Sequence, residues 1–131
     1  MTTGEYSIVA GGVYHLGCAL LHAFFPRALG WNEDLASVSP MNRAVYWILS
    51  KLLMYAYALL GLGSILFASD ILQSSGGRFL LLSISGFWLL RAGFQLRFFA
   101  VFDDFSGRAG NMALLSAWLL GAALHSVPLV F

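Results

Sequence analysis

The sequence predicts an all-α protein, in which four membrane-spanning helices form one up-down-up-down bundle over residues 1–131. The chain is 60% hydrophobic and 10% charged, with a mean hydropathy of +0.80. Soluble domains carry about 25% charged residues, and a chain of 131 residues has too much surface to hide so many apolar side chains from water. The apolar residues fall into four stretches, each near the length of about 20 residues that crosses a bilayer.

The four predicted spans are separated by links that collect Gly, Ser, Asp and Pro, which are typical of turns. Pro26 is expected to close the first span. Ser39 is expected to cap the second helix, and Pro40 to occupy its first position. A short surface helix is expected within residues 32–37, with Trp31 at the level of the membrane interface. The predicted spans are residues 6–25, 40–68, 79–101 and 110–127.

Arginines at the helix ends predict the orientation in the membrane, because cytoplasmic loops carry an excess of Lys and Arg. Arg27 and Arg43 flank the first link, and Arg97 and Arg108 flank the third. Both termini are therefore expected outside. The N-terminal stretch "MTTGEYSIVAGG" has no basic segment, so it is interpreted as the start of the first helix and not as a cleaved signal.

Composition also excludes some functions. The net charge of +1 argues against nucleic acid as a partner, since phosphate binding needs a concentrated basic face. Cys18 is the only cysteine, so the chain forms no internal disulfide. The sequence contains no HExxH, Walker loop, GxGxxG, CxxC or paired carboxylates within a span, which disfavours hydrolytic, nucleotide-driven and proton-pumping chemistry. No catalytic residue is predicted.

Each span gathers polar, small or aromatic residues at helical spacing, and these stripes are expected to turn inward because lipid-facing sides must be apolar. The stripes are Gly11, His15, Cys18 and His22 on the first helix; Arg43, Trp47, Lys51 and Tyr55 on the second; Trp88, Arg91 and Gln95 on the third; and Asn111, Leu114, Trp118, Gly121 and His125 on the fourth.

The segment "GFWLLRAGFQLRFF" raises a question of charge. Arg91 is expected about 18 Å from the Phe79 end of its span, near the bilayer centre, and Lys51 at a similar level. Every acidic residue falls in a predicted tail or link. A guanidinium at that depth is costly, so we expect Arg91 to meet carbonyls, Gln95, water, a partner subunit or an anionic ligand.

The first functional hypothesis is a membrane protein without a resident cofactor that binds an anionic or polar-headed amphiphile. The ligand would be a membrane lipid, a quinone-like molecule or a carboxylated one. Arg91, Gln95 and Lys51 would hold its head, His22 and Tyr55 would supply hydrogen bonds, and Trp88 and Trp47 would form apolar walls. A structural role remains open for the same polar residues, and it is the one expected of Asn42, Arg43 and Asn111.

The second hypothesis is an accessory subunit that packs on a larger membrane complex, such as a respiratory or photosynthetic one. Arg91 would then meet an acidic residue of the partner. A second copy of this chain is another candidate partner.

A haem-bearing electron carrier is a further alternative, with His15 and His125 as the axial ligands of haem b. The two predicted depths differ by about 10 Å, which counts against this pair. His15 and His22 are too far apart along one helix to share a metal ion. A Cys18–His22 nucleophile pair is possible by spacing but lacks an orienting acid. A small membrane enzyme and a channel also remain open.

The chain resembles small four-span bacterial membrane proteins in "FFPRALGWNEDLASVSPMNR" and "FWLLRAGFQ". The shared features are a Pro–hydrophobic–Trp link, an "SPMNR"-like helix start and an FW-x2-R-x3-Q segment. They are carried by Pro26, Trp31, Ser39, Asn42, Arg43, Trp88, Arg91 and Gln95. The resemblance implies four spans and a bacterial inner membrane, and it implies no activity.

Overall fold

The computed structural model describes residues 1–99 and 107–130, and every regular element in those residues is helical. The predicted all-α class is therefore confirmed, whereas the up-down order, the single domain and the membrane insertion stay predictions. The α-helices of this part of the chain are α1 (Thr3–Ala28), α2 (Trp31–Asp34), α3 (Pro40–Leu66), α4 (Ala68–Gln73), α5 (Ser75–Phe94) and α6 (Gly107–Ser126). Turns of 3₁₀ helix cover Leu35–Ser37 and Val127–Leu129, and a π-helical turn, Gln95–Phe99, continues α5.

Four helical segments are long and apolar enough to cross a membrane, as the sequence predicts. They are Thr3–Ala28, Pro40–Leu66, Ser75–Phe98 and Arg108–Leu129. The predicted end of the third span at Val101 lies outside the described residues, and so do Asp103 and Asp104 of the third link.

Helix α1 is longer than predicted at both ends. It begins at Thr3 because Thr2 and Glu5 form a capping box: the Thr2 hydroxyl accepts from the Glu5 N–H at 3.3 Å, and the Glu5 carboxylate accepts from the Thr2 N–H at 2.7 Å. The expectation that Pro26 closes the helix is wrong. Proline removes one backbone donor near the end of the helix, and the chain leaves α1 through Gly30 in the left-handed conformation, with φ 64°.

The start of α3 agrees with the prediction. The Ser39 hydroxyl accepts from the Asn42 N–H at 3.4 Å, and Pro40 is the first helical residue. The Arg43 guanidinium donates from Nη2 to the carbonyls of Ala36 at 2.8 Å and Val38 at 3.1 Å. Arg43 thereby ties the preceding 3₁₀ turn to α3. The short surface helix is confirmed by α2 and this turn.

The second link differs from its prediction, since most of it is helical. Helix α4 occupies its first half, and α5 begins at Ser75, four residues before the predicted Phe79. The reason is an N-cap, because the Ser74 hydroxyl accepts from the Gly77 N–H at 3.0 Å. The tight turn from α4 to α5 needs glycine at 77, where a β-carbon would overlap the Ile71 carbonyl.

The chain divides into two compact units, Met1–Gly11 with Phe67–Phe131, and Gly12–Leu66. We call the first unit A and the second unit B. In unit A, two serine hydroxyls tie helices to α6: Ser7 donates to the Leu124 carbonyl at 2.8 Å, and Ser85 to the Ala122 carbonyl at 3.2 Å. The apolar core of unit A consists of Ile8, Ala68 and Leu81, packed against Val9, Ile71, Leu72 and Leu129.

In unit B, α1 and α3 approach until their backbones touch. A β-carbon added at Gly12 would lie 2.8 Å from the Gly61 carbonyl oxygen, and one at Gly61 would lie 2.9 Å from the Gly12 carbonyl oxygen. Small residues at a crossing are what close helix packing in a membrane requires.

Candidate functional site

A polar cluster in unit A joins the end of α5 to α6, and we call its five residues, Arg91, Gln95, Asn111, Trp118 and Trp88, the arginine site. Arg91 and Gln95 are four residues apart and so lie on the same side of α5. The Arg91 guanidinium donates from Nη1 to Gln95 Oε1 at 3.1 Å. Gln95 is only 2% exposed, whereas Arg91 is half-buried. The guanidinium therefore lies at the edge of the cluster and the amide lies inside it.

Two tryptophans stacked on each other form the apolar floor of the arginine site. The rings of Trp88 and Trp118 are nearly parallel, with centroids 5.3 Å apart and an angle of 7° between their planes. The guanidinium carbon of Arg91 lies 4.6 Å from the centroid of the Trp118 ring, within the range of a cation–π interaction. Both rings are buried, so the ring side of this interaction is shielded from water. The stack places the guanidinium over one ring face.

Gln95 connects the two helices through both ends of its amide. Its Oε1 accepts from Arg91 and also from the Trp118 indole N–H at 3.4 Å, and its Nε2 donates to Asn111 Oδ1 at 3.0 Å. Only one orientation of the amide satisfies all three bonds, because an amide oxygen accepts and an amide nitrogen donates. A π-helical turn begins at Gln95. Such turns occur frequently at functional sites.

Arg91 lies farther from the start of its helix than predicted. It is sixteen residues after Ser75, which is about 24 Å along the helix, whereas the prediction placed it about 18 Å from Phe79. The difference arises because α5 begins four residues before the predicted start.

Apolar side chains flank the guanidinium on the outer surface of α5. Phe87 lies four residues before Arg91 and Phe94 three residues after it, so both are on its side of the helix. Phe87 is 41% exposed and Phe94 is 47% exposed. Arg97, in the π-helical turn that follows α5, and Arg108, at the start of α6, are also exposed. The site thus combines a half-exposed cation, an apolar outer surface and further positive charge nearby.

The stripe predicted on α3 does not turn inward as a whole. Lys51 is exposed and Tyr55 is 62% exposed, so the inward orientation predicted for these two residues is wrong. The stripe was built from steps of four residues, and each such step rotates about 40° around a helix of 3.6 residues per turn. From Arg43 to Tyr55 the rotation reaches about 120°, which carries Tyr55 to the outside. The buried α3 residues are Tyr57, Gly61 and Ser64.

His22 and Trp47, the other predicted site residues, belong to unit B. The His22 ring packs against Tyr57 at 5.2 Å between centroids, and its Nδ1 lies 2.9 Å from the Cys18 carbonyl oxygen. Since a carbonyl only accepts, Nδ1 is the donor. The Trp47 ring contacts Trp31 at 6.0 Å and Tyr46 at 6.5 Å. The roles that the sequence assigns to Lys51, Tyr55, His22 and Trp47 in ligand binding stay predictions.

The two histidines considered for haem are fully buried, and each lies in its own unit. The Nδ1 of His125 donates to the Gly121 carbonyl at 2.7 Å, and a β-carbon at Gly11 would lie 2.7 Å from His125 Nε2. The His15 ring packs against Tyr57 at 5.9 Å. Residues 1–99 and 107–130 contain no group of three or more His, Cys, Asp or Glu that could hold a metal ion. Haem ligation by His15 and His125 stays a prediction.

Two residues that contact the predicted site residues were not themselves predicted as site residues. Trp118 holds the guanidinium, and Tyr57 contacts both His15 and His22. A signal for Trp118 existed, because it shares the α6 stripe with Asn111, seven residues earlier. Tyr57 gave no such signal, since it is two residues from Tyr55 and therefore on a different side of α3.

No protein-family model, no curated protein and no solved structure matches the chain. The functional conclusion therefore depends on the geometry of the arginine site and on the chemistry of its residues.

Proposed function

We propose that the protein spans the bacterial inner membrane four times, in up-down-up-down order with both termini outside, and binds the anionic or polar head of an amphiphile at Arg91. The four apolar helices support the spanning part. An aromatic cluster near the start of α3 also supports membrane insertion, because Trp and Tyr concentrate at membrane interfaces. Within this cluster Trp31 lies 4.9 Å from Tyr46 and 6.0 Å from Trp47 between ring centroids.

The observation that carries the binding proposal is the fixed, half-exposed guanidinium of Arg91. It lies over the Trp118 ring, and its Nη1 donates to Gln95. A guanidinium presents several N–H donors in a planar fork that matches the oxygens of a phosphate or carboxylate. Because side-chain freedom is already lost, little further ordering is needed when a ligand binds.

The surroundings of Arg91 favour an amphiphile over a small soluble anion. A head group on the guanidinium would direct its apolar chain along Phe87 and Phe94, which are exposed on the same side of α5. Arg91 lies six residues, about 9 Å along the helix, before Arg97, toward the end of the segment where Arg97 and Arg108 are exposed. Arg97 and Arg108 would attract anionic lipids to this end. Phospholipid phosphates, carboxylates and quinone carbonyls share the oxygen acceptors that this site fits.

The proposal uses residues of unit A alone. Arg91 contacts the head group, and Gln95 positions Arg91. Asn111 accepts from the Gln95 amide, and Trp118, which stacks on Trp88, lies beneath the guanidinium. Lys51 and Tyr55, which the sequence grouped with Arg91, are exposed on α3 and are not needed for this site.

Native mass spectrometry of the protein in mild detergent tests the proposal. We expect bound phosphatidylglycerol or a short-chain quinone on the wild-type protein, and at least a tenfold loss of that adduct in Arg91→Gln. Arg78→Gln is the matched control, because it removes an exposed arginine of the same helix near its opposite end. Equal adducts on the wild type and Arg91→Gln would contradict the proposal, and Arg91→Lys separates the need for charge from the need for the planar stack.

A further inference from the structure

The outward side of α3, in unit B, carries large apolar residues at a regular spacing. They are Val45, Ile48, Leu52, Tyr55, Leu59 and Leu62, which follow one another in alternate steps of three and four residues. Each is between 45% and 62% exposed. This spacing is the seam by which one helix packs along another. A lipid-facing surface can have the same spacing, so the seam alone does not identify what covers it.

The Tyr55 hydroxyl within this seam and the Lys51 ammonium beside it distinguish the candidates. Lys51 and Tyr55 are four residues apart, on the same side of α3, and both are exposed. Neither has a hydrogen bond or an ion pair with any residue among 1–99 and 107–130. The Lys51 ammonium only donates, and the Tyr55 hydroxyl can donate as well as accept, so this part of the surface carries a positive charge and a second donor with no carboxylate beside them.

The depth of Tyr55 decides against lipid as the acceptor. If the aromatic cluster at Trp47 marks the interface, the nineteen residues from there to Leu66 extend about 29 Å, which matches a hydrocarbon core of about 30 Å. Tyr55 then lies about 12 Å below the interface, near the middle of the bilayer. Lys51 can extend its long side chain back toward the head groups. The shorter Tyr55 side chain cannot reach them and would leave its hydroxyl in hydrocarbon.

We propose that this face of α3 binds a membrane-spanning helix of a second polypeptide, which carries a carboxylate at the level of Lys51 and Tyr55. One carboxylate accepts several hydrogen bonds, so it can pair with both donors. A second copy of this chain does not fit by this face, because α3 contains no Asp or Glu and would add another lysine. The inference depends on the membrane placement in the proposed function and is independent of the arginine site.

The test uses two synthetic peptides that differ in one side chain. One is a leucine-based transmembrane peptide with a single central Glu, and the other has Gln in its place. Each carries a fluorophore, and its binding to the purified, labelled full-length protein in phosphatidylcholine vesicles is measured by energy transfer. We expect the Glu peptide to bind wild-type protein about tenfold more tightly than the Gln peptide.

Variants locate the effect on α3. Lys51→Met should abolish the preference for Glu, and Tyr55→Phe should reduce it several-fold, because the hydroxyl donates to the same carboxylate. Tyr6→Phe is the matched control, since Tyr6 is another exposed tyrosine, on α1, and should leave the preference intact. Circular dichroism of each variant confirms that it remains helical.

The other outcomes overturn the inference in different ways. Equal binding of the two peptides would mean that no carboxylate is recognised. A preference that survives Tyr55→Phe and vanishes when phosphatidylglycerol replaces phosphatidylcholine would assign Lys51 to a lipid head group. Energy transfer between differently labelled copies of the protein that is lost in Lys51→Met would assign this face to a second copy. Lipid adducts at Arg91 would be unaffected by all three results, whereas failure to enter vesicles would contradict both proposals.

Discussion

The Arg91 guanidinium lies over the Trp118 ring at 4.6 Å, although the two residues belong to different helices, α5 and α6. Trp118 also donates its indole N–H to Gln95 and stacks on Trp88. One side chain therefore contributes to a cation–π interaction, a hydrogen bond and an aromatic stack. Such a residue is expected to matter both for the stability of unit A and for the orientation of the cation.

Replacing Trp118 should separate these contributions. Trp118→Ala removes a buried ring and leaves a cavity, so we expect the free energy of unfolding to fall by about 3–5 kcal/mol. Trp118→Phe keeps an aromatic face for Arg91 and loses the donor to Gln95, which should cost about 1 kcal/mol in hydrogen bonding. Denaturant titration in mild detergent, followed by circular dichroism, measures both.

Leu119→Ala is the control for these variants, because Leu119 is 47% exposed and adjacent in sequence. It should change the free energy of unfolding by no more than about 0.5 kcal/mol. If Trp118→Ala were as mild as this control, the stack would not be an important contact in detergent-solubilised protein.

Substitutions of Gln95 should show whether its amide links the two helices. Gln95→Leu removes the acceptor of Arg91 and Trp118 and the donor to Asn111, and should lower the free energy of unfolding by about 3 kcal/mol. Gln95→Glu keeps both acceptor interactions and adds an ion pair with Arg91, so it should be less harmful than Gln95→Leu. The ranking is measured by thermal unfolding in the same detergent.

The comparison for Gln95 is another glutamine whose amide makes a hydrogen bond at the surface. Gln73 donates to the Ser69 hydroxyl at 2.9 Å and is exposed. Gln73→Leu should therefore change stability by about 0.5 kcal/mol or less. Equal effects at positions 73 and 95 would mean that burial of the Gln95 amide is unimportant.

Sequence reasoning identified the long apolar helices because their signal depends on length and composition, which a single sequence contains. The ends of these helices were less accurate. Thr2 with Glu5, and Ser74, are caps that extend α1 and α5 beyond the apolar runs. The T-x-x-E pattern at Thr2 is a recognisable signal. The Ser74 cap is harder to predict because several serines and glycines are adjacent there.

The arginine site was only partly predictable for a different reason. Arg91, Gln95 and Trp88 were chosen because they share one side of a helix, and all three occur together in the cluster. Trp118 belongs to the site because it packs against α5. Residue spacing along α6 does not predict a contact with another helix. Lys51 was misplaced because small angular errors accumulate over successive four-residue steps. Contacts between helices therefore do not follow from residue spacing along a single helix.

The cap of α5 gives a prediction about local stability. Ser74→Ala removes the acceptor of the Gly77 N–H and should lower the free energy of unfolding by about 1 kcal/mol. Ser83→Ala is a suitable control, because the exposed Ser83 hydroxyl donates to the Phe79 carbonyl of its own helix at 2.8 Å and does not cap a helix end. Hydrogen exchange should become faster at the first turn of α5 in Ser74→Ala and remain unchanged there in Ser83→Ala.

The crossing of α1 and α3 in unit B provides the sharpest pair of variants. At Gly61 a β-carbon would lie 2.8 Å from two Leu16 side-chain carbons and 2.9 Å from the Gly12 carbonyl oxygen. The backbone oxygen cannot move away without separating the helices, so Gly61→Ala should destabilise the protein by about 1–3 kcal/mol.

Gly63, two residues later on the same helix, has no atom within 4 Å of the corresponding position. Gly63→Ala should therefore be neutral or stabilising by up to about 1 kcal/mol, since alanine is the better helix former. Both variants are compared by denaturant titration in mild detergent. Because helix propensity is gained equally at the two positions, their difference in free energy of unfolding measures the contact between α1 and α3. A difference near zero would mean that the two backbones are not in contact at Gly12 and Gly61.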